Sequence, residues 1–209
     1  MKQLLVIAAA LLIFSLALQC DEKKPNDIDF EDPGRFFPIN FEYTWTYAVL
    51  GQGCSATGKE FVVTAQTKTT REVEGVRHNG WDLVTVSGGS GTGFVYRVAD
   101  TVFYWKDVQS TTLLPYKVLV GPVIAGTFWK GRDLYGFEYL IVRIEDFYSP
   151  TANHTFKGCA KVKRTSLDGE VKYYWWAPAW GKVREADFEG EQCLGGEDLK
   201  RLEKNPEYP

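Results

Sequence analysis

Four cysteines offer the widest range of side-chain chemistry in this sequence: Cys20, Cys54, Cys159 and Cys193. Cys20 follows a segment in which Lys2 precedes an apolar run at residues 4–18, the pattern of an export signal. The residues before it, Leu16-Ala17-Leu18-Gln19, form an imperfect version of the site at which a bacterial lipoprotein receives a diacylglycerol on its cysteine sulfur. We therefore predict a signal peptide at residues 1–19 and lipidation of Cys20, with palmitate among the attached acyl chains.

Two other interpretations of this N-terminus stay open. Ser15 and Ala17 fit an ordinary secretory cleavage site, which would leave Cys20 as a plain thiol. An uncleaved anchor would have to cross the membrane with a 15-residue run, whereas a spanning helix needs about 20 residues. The acidic stretch at residues 20–36 favours lipidation, because a segment with little apolar area to bury is predicted to form a flexible tether behind the anchor.

The other three cysteines are expected to contribute to folding rather than to membrane anchoring. An exported protein can keep disulfides, and Cys54 and Cys193 both lie in glycine-containing segments predicted to be loops. Cys159 lies in a strand-like run and is predicted to be a small buried residue. We favour a Cys54–Cys193 disulfide, although the sequence alone leaves other pairings open. With no Cys-x-x-Cys pair and only two histidines, the sequence predicts no zinc site.

The remaining candidates for chemistry are scattered along the chain. His78 lies in a turn-like segment and His154 opens a predicted strand, and neither has a nucleophile or a metal ligand close in sequence. The glycine-rich stretch at residues 87–93 lacks the lysine of a phosphate-binding loop. Glu185 and Asp187 alternate along a strand, as solvated acids usually do. The sequence therefore predicts no enzyme, no catalytic residue, no metal and no cofactor.

The net charge of the chain argues against a nucleic-acid partner. The formal net charge is −3, and removal of residues 1–19 takes away only Lys2, so the mature chain carries −4. Binding of nucleic acid needs a basic patch, which this balance does not provide. The locally basic segment at residues 157–164, which ends in Arg164, includes small and apolar residues and is predicted to be a solvated strand face.

The elements that must position these groups are strands. Residues 41–49 alternate large apolar with polar or small side chains, which predicts a strand with one buried face. Further strands are predicted at residues 60–70, 81–86, 93–98, 101–105, 137–146, 154–165, 170–176 and 182–188. Only residues 196–204 show a helix-like spacing, and an edge strand is the alternative there. Strand-helix-strand alternation and internal repeats are absent, which leaves a sandwich, a closed barrel or a strongly curved open sheet.

Aromatic content indicates a wide interior. The 209 residues include 7 Trp, 11 Tyr and 13 Phe, and large rings favour a wide core or a cleft. The run at residues 173–176 places rings on both faces of one strand, so the face away from the core must be covered, exposed or used for binding. We predict structural packing for most rings and a ligand or partner surface for a few: Trp105, Trp129, Trp175, Trp176 and Trp180.

Four segments, taken in order, resemble the DUF3108-like group of bacterial envelope proteins. They are Phe37-Pro38-Ile39-Asn40 with Trp45 and Tyr47, Leu113-Leu114-Pro115 with Gly126-Thr127-Phe128-Trp129, residues 149–162, and the aromatic-Ala-Pro-x-x-Gly-x-Val signature at residues 173–183. The resemblance implies a fold related to lipoprotein carrier and insertion factors. In that fold a curved antiparallel sheet forms half a barrel around a hydrophobic hollow.

Together these observations predict a mainly β protein with a single curved antiparallel sheet, or half-barrel, and little helix. We expect a signal peptide at residues 1–19, a lipidated cysteine and tether at 20–36, and one β-rich domain at 37–209. The expected location is the bacterial cell envelope, lipid-anchored at the outer membrane or its periplasmic face. The expected role is non-catalytic binding of an apolar or amphipathic ligand or of a partner protein. The alternatives are a structural or interaction module and an envelope hydrolase, and the sequence does not define an oligomeric state.

Overall fold

The fold is almost entirely β-strand. A computed structural model describes residues 32–37, 43–87, 91–106, 115–131 and 136–204. The strands are β1 Tyr43–Leu50, β2 Ala56–Val73, β3 Val76–Ser87, β4 Gly91–Val98, β5 Thr101–Trp105, β6 Tyr116–Val120, β7 Phe128–Lys130, β8 Glu138–Ser149, β9 His154–Thr165, β10 Val171–Ala177, β11 Gly181–Glu189 and β12 Gln192–Lys204. Two short 3₁₀ turns span Pro33–Arg35 and Gln52–Cys54. None of the described segments forms a helix long and apolar enough to cross a membrane.

The strand order divides the sheet into two antiparallel meanders of six strands. The order is β6-β5-β4-β3-β2-β1-β12-β11-β10-β9-β8-β7, so neighbours within each meander are also consecutive in sequence. The meanders join where β1 pairs with β12, with Tyr43 opposite Lys204 and Leu50 opposite Gly196. The sequence interpretation of residues 196–204 as a helix or an edge strand is therefore wrong. They form a central strand, because pairing on both sides outweighs a weak local spacing.

The connection between β6 and β7 requires the sheet to curl. These strands are the two edges of the sheet, yet only residues 121–127 separate them in the chain. Twelve flat strands about 4.8 Å apart would hold the edges about 50 Å apart, whereas an extended connection of this length spans about 28 Å. The edges meet where the Trp129 indole donates a hydrogen bond to the Lys117 carbonyl oxygen at 3.3 Å. The predicted single curved sheet is confirmed, and it curls beyond half a barrel.

The folded domain begins before residue 37, because residues 32–36 already contact it. Asp32 caps the first 3₁₀ turn by accepting a hydrogen bond from the Gly34 amide at 2.9 Å. The Arg35 carbonyl oxygen accepts a bond from the Ala179 amide at 2.8 Å, and the Phe36 side chain is fully buried in the core. The tether predicted at residues 20–36 therefore extends too far at its C-terminal end. Its residues 20–31, with Cys20 and the signal peptide, lie outside the described residues.

Cations cover aromatic rings on the outer face of β10 and of β8. The Lys161 ammonium lies 4.5 Å from the ring centre of Tyr173 and 4.9 Å from that of Trp175. The Arg184 guanidinium lies 4.7 Å from the ring centre of Phe147 and pairs with the buried Asp198 carboxylate at 3.0 Å. Such cation–π contacts stabilise by about 0.5–2 kcal/mol and shield the rings from water. Both faces of β10 can therefore carry large rings, as the sequence predicts.

A disulfide joins the two meanders. Cys54 and Cys193 form this bond across 139 residues of sequence, with their Cα atoms 5.5 Å apart. It links the turn between β1 and β2 to the start of β12, beside the junction of the two meanders. This is the pairing that the sequence analysis favours. Cys159 is a free, buried thiol in β9, and burial raises its pKa to about 12.

Candidate functional site

The concave face of the sheet encloses a hollow of about 460 Å³. Aromatic side chains from both meanders line it, among them Trp45, Tyr47, Tyr104, Tyr116, Tyr174 and Trp176. Sites for small molecules typically enclose about 300–1,000 Å³ and combine apolar walls with a few polar groups. The hollow therefore has the size and the wall chemistry of a ligand site.

A glycine makes room for one wall of this hollow. The Tyr104 ring lies so close over Gly93 that a Cβ atom at position 93 would come within 2.4 Å of a ring carbon. The same ring meets Tyr116 edge to face, with 5.7 Å between ring centres. Burial raises the pKa of both phenols, so both hydroxyls stay neutral at physiological pH. Gly93 thus sets how far the Tyr104 ring projects into the hollow.

A buried charge network lies on the opposite wall. Lys182 contacts Glu185 at 2.8 Å and also forms a short ion pair with Glu197. Lys172 contacts Glu185 at 2.6 Å and Asp187 at 3.2 Å. The sequence interpretation of Glu185 as a solvated acid is therefore wrong, because its side chain faces the hollow between two lysines.

The charge network shifts the pKa values of Lys182, Glu185 and Glu197. Burial disfavours the charged form of Glu185, but the attraction of Lys182 and Lys172 outweighs it and lowers the pKa of Glu185 to about 2. Burial also disfavours the charge of Lys182, and Glu185 and Glu197 overcome this and raise the pKa of Lys182 well above its ordinary value. Burial, only partly opposed by Lys182, raises the pKa of Glu197. Lys182 and Glu185 are thus charged at neutral pH.

Two further cations line the hollow, Arg164 and Lys106. Arg164 lies on β9 opposite Lys172 of β10, and its guanidinium is 4.2 Å from the ring centre of Phe137. Its Nε atom is buried, and no described residue accepts a hydrogen bond from it. The prediction that residues 157–164 form a solvated face is thus wrong for Arg164. The inward direction of Arg164 depends on the strand register, which local sequence patterns do not define.

The five tryptophans predicted as a ligand or partner surface do not form one surface. Trp176 lines the hollow, whereas Trp129 stacks on Tyr139 at the sheet edge, with 5.3 Å between ring centres. The indole of Trp175 donates to Glu145 at 2.9 Å on the outer face. The other two, Trp105 and Trp180, pack in separate aromatic clusters.

The histidines lie apart from the hollow. His78 is not in a turn but in β3, where its ring lies 4.5 Å from that of Tyr96. His154 packs against Trp180, with 5.2 Å between ring centres, in a second cavity of about 230 Å³. Within the described ranges, no three His, Cys, Asp or Glu side chains are grouped closely enough to hold a metal ion.

Comparison of the whole chain with solved structures identifies its architecture. A provisionally assigned exported protein from Bacteroides fragilis with a YmcC-like fold superposes with a TM-score of 0.52 at 14% identity, covering 81% of this chain and 99% of that one. The fold is YmcC-like. A provisionally assigned lipoprotein from Parabacteroides distasonis gives a TM-score of 0.49 at 14% identity, covering 80% and 98%. No model of a known protein family and no curated protein matches the sequence.

Proposed function

We propose that this protein is a membrane-anchored envelope lipoprotein that binds an apolar or amphipathic ligand in the hollow of its sheet, without catalysis. The observation that carries the proposal is the open space of about 460 Å³ between aromatic walls. A purely structural sheet gains stability when side chains fill its interior, because packed cores leave few voids larger than a water molecule. An unfilled hollow of this size favours binding over a structural role.

The proposed anchor is a lipid on Cys20, with the domain held at the outer membrane or its periplasmic face. The export pattern at residues 1–19 and the acidic segment behind it support this location. The exported assignment of the YmcC-like protein from Bacteroides fragilis is consistent with it. We also propose membership of the DUF3108-like group, on the motifs at residues 37–47, 113–129, 149–162 and 173–183.

Mass spectrometry of the mature N-terminus tests the anchor. In a bacterial host that processes lipoproteins, we expect an N-terminal peptide beginning at Cys20 and carrying acyl chains. The Cys20→Ala variant should lack these chains and leave the membrane fraction. A free N-terminus at Leu18 with an unmodified Cys20 would contradict lipidation.

Replacing Gly93 by alanine tests the hollow. The added methyl group collides with the Tyr104 ring and should push it into the cavity, so we expect at least about tenfold weaker binding of the neutral fluorescent probe N-phenyl-1-naphthylamine. Gly51→Ala is the matched control, because its Cβ atom would meet the Thr57 side chain at 3.2 Å, away from the residues that line the hollow. Thermal unfolding shows which variants remain folded. Equal loss of probe affinity in both folded variants would contradict binding in the hollow.

An exposed apolar patch favours the alternative of an interaction module. Phe128 of β7 is 51% exposed and pairs in register with Leu140 of β8, which is 37% exposed, and Val142 lies beside them at 40%. Exposed patches of this kind can mark sites of protein contact. Failure of the wild-type protein to bind the probe or to carry any ligand in native mass spectrometry would favour this alternative.

A further inference from the structure

The lining of the hollow has more positive than negative side chains. Among the described residues its cations are Lys106, Arg164, Lys172 and Lys182, and its carboxylates are Glu185 and Glu197. Both carboxylates already contact lysines, Glu185 at 2.6 Å and 2.8 Å and Glu197 in the short pair with Lys182. Neither Arg164 nor Lys106 has a carboxylate partner within the described part of the chain. An anion entering the hollow would therefore meet cations that no carboxylate of the described residues neutralises.

Arg164 is the best placed of these cations to bind an anion. It lies beside Lys172 in the register of β9 and β10, so two cations occupy neighbouring positions on the concave face. Its Nε atom is buried with no acceptor among the described residues, and a buried donor left unpaired is destabilising. The planar guanidinium can donate two parallel hydrogen bonds to a carboxylate or a phosphate. A ligand oxyanion would supply the missing acceptor.

A second unpaired donor lies in the same wall. The Nε1 atom of Trp176 is buried and has no hydrogen-bond partner in the part of the chain that the structure describes, although the indoles of Trp45, Trp129 and Trp175 all donate to protein oxygens. Trp176 lines the hollow together with Arg164. Polar acceptor atoms on a bound ligand would therefore satisfy donors that the folded protein leaves unpaired.

We infer that the ligand of the hollow is an amphiphile whose anionic head, a carboxylate or a phosphate, binds Arg164 while its apolar part lies against the aromatic walls. This inference rests on the proposed function of the hollow and specifies its ligand class. The short ion pairs of Lys182 and Lys172 hold the neighbouring charges in place, so Arg164 can bind the head without rearrangement of the network. Such preorganisation favours affinity.

A matched pair of probes tests the inference. Dansyl-aminoundecanoic acid and its methyl ester share one chain and one fluorophore, and only the acid carries a charge. We expect the wild-type protein to bind the acid about tenfold more tightly than the ester, a difference of about 1.4 kcal/mol, because hydrogen bonds to charged groups are stronger than those between neutral groups. Arg164→Met should remove this preference and leave ester affinity within about twofold of the wild-type value. Arg164→Lys should keep part of the preference for the acid and is the second variant if Arg164→Met does not fold.

Control experiments distinguish binding of the anionic head at Arg164, the head site, from general effects of a substitution on the protein. Arg143→Met removes an exposed cation of β8 that pairs with Glu145, and it should leave both affinities unchanged. Competition by millimolar inorganic phosphate would identify a free oxyanion as sufficient for the head site, whereas no competition would require the whole amphiphile. Equal wild-type affinity for acid and ester, or equal loss of both in Arg164→Met, would overturn the inference but leave hydrophobic binding in the hollow intact. Binding of neither probe by the wild-type protein would instead contradict the proposed function.

Discussion

Lys182→Met is expected to lower the free energy of unfolding by about 3–5 kcal/mol at pH 7, because it leaves buried carboxylates without their partner. Lys182 contacts both Glu185 and Glu197, and these two acids face each other in the register of β11 and β12. Without the ammonium, Lys172 still opposes the desolvation of Glu185 by direct pairing and that of Glu197 by a weaker attraction. Urea unfolding monitored by tryptophan fluorescence measures the loss.

The pH dependence distinguishes this electrostatic effect from a loss of packing. In the wild-type protein the lowered pKa of Glu185 stabilises the fold above the ordinary value of 4.5, and this contribution is lost as the pH falls towards 2. In Lys182→Met the pKa of the same carboxyl should rise, so protonation relieves the penalty. The difference in stability between the two proteins should therefore shrink between pH 7 and pH 3. A difference that stays constant with pH would contradict the explanation.

A surface lysine provides the control. Lys200 forms a short pair with Glu60, and the two side chains are 48% and 41% exposed. Exposed pairs contribute about 0–1 kcal/mol because water and salt screen them. Lys200→Met should therefore change stability by no more than this, and an equal loss in both variants would argue against a special role for Lys182.

Removal of the disulfide is expected to have the second large effect. The variant with both Cys54→Ala and Cys193→Ala should lose about 3–5 kcal/mol of unfolding free energy, because a bond that spans 139 residues strongly restricts the unfolded chain. The junction of the two meanders would then depend on the ladder between β1 and β12 and on non-covalent side-chain contacts, such as the hydrogen bond from Trp45 to the Trp180 carbonyl oxygen. Urea unfolding of the two oxidised proteins measures the difference.

Two comparisons check the origin of this loss. Dithiothreitol should lower the stability of the wild-type protein and leave that of the double variant unchanged. Cys159→Ala removes only a buried sulfur atom in β9, so its cost should be about 1 kcal/mol. A double variant no less stable than Cys159→Ala would show that the bond contributes little.

Local patterns were sufficient to predict most of the strands. The predicted segments at residues 60–70, 81–86 and 154–165 lie within β2, β3 and β9, because alternation and turn residues act over a few positions. The edge strands β6 and β7 were missed: β7 has only three residues, too few to show an alternation, and β6 is an apolar run interrupted only by Lys117. The strand order could not be derived from such patterns, because β1 and β12 pair across the whole domain.

The charge network could not be predicted because it depends on a β-bulge. Trp176 pairs with Lys182, but Trp175 pairs with Arg184, so Val183 is an extra residue in β11. The bulge shifts the alternation, and Lys182 and Glu185, three positions apart, both face the hollow. Strict alternation would have placed them on opposite faces. Apolar neighbours around a lysine and a glutamate at this spacing are the signal that could have indicated a bulge.

The seam where β6 and β7 meet is the part of the wall that we expect to open when the proposed ligand enters or leaves the hollow. Sheet ladders join all the other neighbouring strands around the wall, whereas these two edges are linked by residues 121–127 and by the hydrogen bond from Trp129 to Lys117. Among the described residues, parting the wall at this seam breaks that side-chain hydrogen bond and separates apolar side chains of one core cluster, such as Leu119 and Trp129. Parting it elsewhere breaks a ladder as well. If the hollow binds a ligand as proposed, we expect the ligand to enter and leave by parting of this seam rather than by rupture of a strand ladder.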